Sequence, residues 1–278
     1  MPNRATAKQN ANFKEPAALD VVPPHRIAKL VEEVGVKKAE LNFLATLSLG
    51  ILAGAFIAFG AMFYTVTITG SELGFGPTRA IGGLAFSLGL VLVIVGGAEL
   101  FTGNSLIVLA WASRRIGLAA LGRNWGIVYL GNLLGALGTV LLVQLSGVLD
   151  LGSGAVAATA EAIAQSKVAL GPLEAFTRGI LCNVFVCLAV WMCFAAHTVS
   201  GKVLAIIFPI TAFVALGFEH SIANMYFIPI GALQGDGSIG VFDFFANLIP
   251  VTLGNVVGGG VLVALVYWLV YMREARQS

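Results

Sequence analysis

Apolar residues along the chain fall into six long runs, at about 43–68, 80–112, 125–149, 173–196, 203–233 and 248–272. A helix needs about 20 apolar residues to cross the hydrocarbon core of a bilayer, so each run predicts one transmembrane helix. The second and fifth runs exceed a single crossing, and each holds an acid near its middle, Glu99 and Glu219. Both features predict helices broken inside the membrane. Ahead of the first run the pattern differs. Residues 1–25 are polar and carry Pro16, Pro23 and Pro24, which predicts a disordered tail. Over 26–40, Ile27, Leu30, Val31 and Val34 recur at helical spacing between Lys29, Glu32 and Glu33. That predicts a short amphipathic helix lying along the membrane surface. No leading apolar run suggests a cleaved signal.

Composition agrees with the pattern. Of 278 residues 58% are apolar and 11% are charged, against roughly 25% charged in a soluble domain. The net charge of +2 is too small to favour nucleic acid. Cys182, Cys187 and Cys193 lie in one apolar run and read as small hydrophobes, so neither a metal nor a cofactor is expected. Lys and Arg set orientation. Thirteen lie on the side of the tail, the loop around Arg114, Arg115 and Arg123, Lys202 and the end beyond Arg273. Only three, Arg79, Lys167 and Arg178, lie on the other. Both termini are therefore expected in the cytoplasm. Trp125, Tyr129, Trp191, Trp268 and Tyr271 fall near span ends, where amphipathic rings favour the interface.

The halves repeat each other, 41–149 against 172–273. Gly50-Ile51-Leu52 with Phe56-Ile57 matches Gly179-Ile180-Leu181 with Phe185-Val186. Gly97, Glu99 and Asn104 match Gly217, Glu219 and Asn224 in register, and Leu130-Gly131-Asn132 matches Leu253-Gly254-Asn255. Three spans per repeat is odd, so the second copy must enter from the opposite face. Such inverted repeats place their substrate path at the repeat interface, beside interrupted helices.

Several side chains are candidates for chemistry. His220 is the one histidine placed within a span. An intramembrane ionisable group is costly and points to function, against the alternative of a buried neutral histidine tying helices together. Glu99 and Glu219 read either as proton carriers or, preferably, as structural acceptors for backbone N–H groups freed at the breaks. Asn104 and Asn224 would cap the second half-helices. Asn132, Asn183 and Asn255 read as interhelical hydrogen-bonding residues. Lys167 stands alone before the fourth span and is either solvated or a vestibule charge. Thr102 has a hydroxyl to offer an anion, and Phe86, Leu90, Leu100, Phe101 and Phe213 could narrow a passage.

The segments GAELFTGN (97–104), GFEHSIANMYFIPIG (217–231) and NLIPVTLGNVVGGG (247–260) resemble the signature segments of the formate/nitrite transporter family. PPHRIAKLVEEVGVKKAE (23–40) is similar to the start of its formate channels, and CNVFVCLAVWM (182–192) also fits. The resemblance runs from about 23 to 275. It implies an all-α, aquaporin-like fold with broken second and fifth helices, in the cell (inner) membrane. It implies a homopentamer with one pore per protomer, surrounded by membrane lipid. By matching position it places Leu90, Phe101, Thr102, Phe213 and His220 along the pore. Phe86 would stand at a constriction, and Lys167 with Asn183 in the outer vestibule. Implied substrates are formate, nitrite, hydrosulfide or a related monovalent anion. Glu99-Leu100-Phe101-Thr102-Gly103 is closer to the nitrite members, while the first helix and sixth span look closer to the formate members, so formate leads. A water or glycerol channel would carry two Asn-Pro-Ala repeats, which this chain lacks. A membrane enzyme would need a nucleophile–base or metal set that does not appear. A purely structural protein would have little use for repeat-related buried acids.

Overall fold

A computed structural model describes residues 21–273. Residues 1–20 of the expected tail, and Arg276, lie outside the described residues. Among the described residues the fold is all-helical. The helices are α1 (Pro24–Glu40), α2 (Phe43–Ile68), α3 (Phe75–Gly96), α4 (Val108–Ala112), α5 (Leu118–Leu145) and α6 (Ala155–Val168), then α7 (Pro172–Ala195), α8 (Val199–Ala215), α9 (Ser221–Ala232), α10 (Val241–Val256) and α11 (Val266–Tyr271). A 3₁₀ stretch, Gly103–Ile107, leads into α4, and a wide-turned π stretch, Val257–Leu265, joins α10 to α11. Five helices are long and apolar enough to cross a membrane: α2, α3, α5, α7 and the continuous Val241–Tyr271. Gly103–Ala112 and Val199–Ala215 are shorter apolar helices.

The two overlong runs are each divided. The run at 80–112 starts earlier, at Phe75, and stops at Gly96, where Gly97 turns left-handed at φ +77°. Helix resumes at Gly103. The run at 203–233 stops at Ala215 and resumes at Ser221, with Gly217 left-handed at φ +75°. Glycine takes that conformation without the steric penalty of a Cβ.

Other boundaries moved for chemical reasons. α5 begins at Leu118, ahead of the expected 125, because Arg123 reaches the Leu41 carbonyl and Asn124 is buried with partners. The sixth run begins at Val241, where Asp243 accepts the Gly240 N–H and caps the start. α6 is a helix in a stretch expected to be a connection. It is alanine-rich, which favours helix, and its buried Val156, Ala160 and Ala164 turn inward.

Helices α2 and α5 approach closely, as do α7 and the π stretch that continues α10. A Cβ on Gly135 would lie 1.9 Å from the Ile51 carbonyl oxygen, and one on Gly258 would lie 2.1 Å from that of Ile180. Glycine is required at both crossings, where the gain is close backbone packing. α1 uses its apolar side differently from expectation. Ile27, Ala28, Val31 and Gly35 are buried against the protein itself, with Gly35 beside Ile107 and Ala110. Of the expected apolar stripe, Ile27 and Val31 pack inward while Leu30 stays exposed.

Candidate functional site

The two breaks are tied by the same hydrogen-bonded network, built twice. In the first half the Lys38 ammonium pairs with Glu99 at 2.9 Å. Asn104 donates to Glu99 at 2.7 Å and to Asn124 at 3.0 Å, and Asn124 donates to the Lys38 carbonyl at 3.0 Å. Asn132 donates to the carbonyls of Gly50 and Glu99 and accepts the Phe101 N–H. In the second half Lys167 pairs with Glu219 at 3.0 Å. Asn224 donates to Glu219 at 2.6 Å and to Asn247 at 2.8 Å, and Asn247 donates to the Lys167 carbonyl at 2.8 Å. Asn255 donates to the carbonyls of Gly179 and Glu219 and accepts the Ser221 N–H. Both acids and all six asparagines are buried. Burying charge is tolerable where it is paired and its remaining lone pairs are satisfied.

This geometry changes four expectations. Glu99 and Glu219 accept from asparagine and lysine side chains, while Asn132 and Asn255 take the backbone N–H groups freed at the breaks. Asn104 and Asn224 are bridges, not helix caps. The cap of α9 is His220, whose Nδ1 accepts the Ala223 N–H at 3.1 Å. Lys167 is not alone, since it lies on α6 and holds both carboxylate oxygens of Glu219. Asn183 does not accompany Lys167. It is deeply buried and donates to the Thr102 carbonyl, the Ser105 hydroxyl and the Asn255 carbonyl.

The halves differ in detail. The Lys38 ammonium also donates to the Asn104 side-chain oxygen at 2.8 Å. The matching oxygen of Asn224 is buried with no partner, and Lys167 instead lies 5.3 Å over the Phe227 ring. Where the first repeat has Leu100, the second has His220.

That histidine meets Thr102 across the repeat, with Nε2 to Oγ1 at 2.9 Å. Because Nδ1 already accepts from Ala223, the neutral ring carries its proton on Nε2 and donates it to Thr102. The Thr102 hydroxyl proton then remains to be offered to a ligand. The Thr102 carbonyl is fixed from α7 by Asn183 and the Cys187 thiol.

Two hollows lie beside this pair: His220 lines one, and Leu100 and Gly103, on either side of Thr102 in the chain, line the other. One, of about 240 Å³, is lined by Lys38, Glu99, Asn104, Leu90, Leu100 and Lys202 among others. The other, of about 410 Å³, is lined by Lys167, Glu219, His220, Phe86, Phe213 and Arg79 among others. Between them lies an apolar band. Phe86 and Leu90, one turn apart on α3, face one hollow each. Phe86 meets the Phe213 ring edge-on at 5.7 Å, and Phe213 stacks on His220 at 6.1 Å. Phe101, expected beside these residues, is elsewhere. Its ring packs edge-on against Trp125 and Tyr129 and borders a third, open hollow.

Sequence reasoning missed Lys38, Asn124 and Asn247 as network members. The repeat carried the signal: Lys38 and Lys167 each stand twelve residues before Gly50 and Gly179. Asn124 and Asn247 each stand eight before Asn132 and Asn255.

A multi-pass helical protein with twin buried ion pairs and hollows on both sides of an apolar band has the make-up of a membrane channel or transporter. The family model "Formate/nitrite transporter" matches residues 25–269. The chain belongs to that family. It is 44% identical to the formate channel FocA of Escherichia coli (strain K12), over 92% of this chain and 96% of that one. A solved structure titled "Pentameric formate channel with formate bound" superposes with a TM-score of 0.75 at 41% identity, covering 83% of this chain and 98% of its own. An "FNT family ion channel" superposes at 0.80 with 29% identity, covering 88% and 98%. By their printed names these relatives are channels, not enzymes.

Proposed function

We propose that the chain is a channel for small monovalent anions, with formate as the leading substrate and nitrite or hydrosulfide as alternatives. The single observation that carries this is the buried Thr102–His220 hydrogen bond in an apolar band between two lysine-bearing hollows. An anion entering either hollow meets an ammonium already shared with a carboxylate. Its attraction is therefore weak, which suits conduction, since a site that binds tightly does not release. The band of Phe86, Phe213, Leu90 and Leu100 strips water, at a cost of several kcal/mol for a bare ion. Thr102, oriented by His220, replaces part of that hydration with a hydroxyl donor. The members called from sequence as pore-lining act here in these roles, except Phe101, which supports the break from its Trp125 and Tyr129 side, and Asn183, which fixes the Thr102 carbonyl.

The same reading gives six transmembrane segments as two inverted repeats. α3 with Gly103–Ala112 forms the broken second segment, and α8 with α9 the broken fifth. The duplicated networks support it, since a two-fold repeat inverted in the membrane would put Lys38 at one mouth and Lys167 at the other. Both termini face the cytoplasm, on the lysine and arginine asymmetry, and the chain sits in the inner membrane as a homopentamer surrounded by lipid. The Lys167 hollow then opens outward.

A competition uptake assay in proteoliposomes tests the function. Radiolabelled formate should enter faster than into empty liposomes, with unlabelled nitrite and hydrosulfide competing and glycerol not. Glycerol-driven swelling without formate uptake would favour the aquaporin-like alternative instead.

A further inference from the structure

The Lys167 hollow holds two further cations that the route past His220 does not use. Arg79, near the start of α3, crosses to the end of α8, where Nε donates to the Ala215 carbonyl at 2.6 Å and Nη2 to that of Val214 at 2.8 Å. Arg178 on α7 donates from Nη1 to the Gly217 carbonyl at 3.1 Å, and its other nitrogen meets Glu174. Carbonyls at a helix C-terminus carry the negative end of the helix dipole. Left bare, they would repel an anion approaching His220. The two guanidiniums reverse the sign of that corner. The first break has no such pair: Leu49, whose carbonyl takes the Glu99 N–H, stands where Arg178 takes that of Glu219.

The arginines also converge. A Cβ on Gly217 would lie 3.0 Å from Arg79 Nη2 and 3.6 Å from Arg178 Nη1. Among the described residues Arg79 has no carboxylate within ion-pair distance, while Arg178 is paired with Glu174, so the corner keeps one positive charge that only carbonyl oxygens offset. Both side chains line the hollow. Arg79 spends Nε and one Nη2 hydrogen on carbonyls, which leaves the Nη1–Nη2 edge as a planar fork that matches the two oxygens of a carboxylate or of nitrite. We infer that Arg79 and Arg178 form an anion-binding station at the Gly217 corner. It takes a small planar carboxylate or oxyanion three residues before His220 and makes the two breaks electrostatically unequal. The station rests on the anion-channel reading above but is tested by binding rather than by flux.

The test is thermal unfolding of the purified full-length protein during titration with sodium formate or sodium nitrite, at ionic strength held constant with a bulky sulfonate. A ligand that binds the folded state raises the unfolding temperature in proportion to its occupancy. In wild type both anions should raise it with a saturating midpoint. Arg79→Gln and Arg178→Gln should each move that midpoint about tenfold higher, the loss of one charge-assisted contact. Arg26→Gln, an equal loss of charge on exposed surface, should leave it in place. Arg79→Gln also forfeits two carbonyl bonds, so Arg79→Lys serves where it does not fold. Keeping charge without the fork, it should give an intermediate midpoint. Wild-type midpoints in every arginine variant, or no anion-dependent stabilisation of wild type, would overturn the station. Formate uptake by wild type alongside that result would leave the channel reading intact. Arginine-dependent stabilisation without uptake would uphold the station and remove the channel.

Discussion

Asn255 satisfies three backbone groups at once: the Gly179 and Glu219 carbonyls and the Ser221 N–H. An amide side chain is the one uncharged group that can donate twice and accept once in that space. Asn255→Leu keeps the volume and strands all three groups. Each unsatisfied buried group costs about 1–3 kcal/mol, so the variant should unfold well below wild type in detergent by differential scanning fluorimetry, and an unchanged midpoint would contradict the role. The ion pairs make a second residue-scale comparison. Lys167 is 13% exposed and Lys38 28% exposed on their side chains. Removing one partner of a buried pair leaves the other charge uncompensated, at about 3–5 kcal/mol. Lys167→Met should therefore destabilise more than Lys38→Met, whose ammonium lies nearer water and so makes the weaker pair with an equally buried carboxylate, in the same scan. Sequence located Glu99, Glu219, Asn104 and Asn224 because the repeat aligned them within eight-residue segments. Their partners were harder to find. Lys38 read as one more tail charge, since nothing local distinguishes a lysine that folds back on a buried carboxylate from one that stays in water.

At the scale of elements, the apolar runs marked the spans, and the glycines at 97 and 217 mark where two of them stop. Hydropathy alone did not place these stops. An apolar segment that turns left-handed for one residue keeps the same composition as one that does not. α6 was missed for a related reason: Lys167 and a mixed composition lowered its hydropathy, while its helix-forming alanines carried the signal. The close crossings are the elements' sharpest constraint. Gly135→Ala and Gly258→Ala each force a methyl into a carbonyl oxygen and must spread a helix pair. Both variants should lose folded yield and unfolding temperature by size-exclusion chromatography and scanning fluorimetry. Gly138→Ala, which meets nothing within 4 Å, should behave as wild type. Equal behaviour of all three would show that the contacts of α2 with α5, and of α7 with the π stretch after α10, are looser than described.

For the whole molecule, the repeat is the organising fact. Each half builds its own lysine–glutamate–asparagine network around its own break, and the two meet at the Thr102–His220 hydrogen bond, His220 standing where the first half has Leu100. Inversion and pore follow from that plan as proposals, and the pentamer is proposed from the likeness to a pentameric relative. Native mass spectrometry of the detergent-released protein should give five copies of the 28.9 kDa chain. Monomer alone, under conditions that keep it folded, would count against the assembly. Fold class and family were legible from sequence because membrane spans and signature segments are local. The Thr102–His220 contact was not, because it joins residues 118 apart across the repeat boundary.

The most direct measurement is formate flux, by stopped flow in proteoliposomes, through wild type and His220→Asn. Asparagine still accepts the Ala223 N–H and caps α9, but it is too short to keep the Nε2 contact with Thr102. With folding and oligomeric state held equal, flux through His220→Asn should fall at least tenfold. Flux equal to wild type across the pH range would contradict the central claim that this histidine, through Thr102, guides an anion across the apolar band.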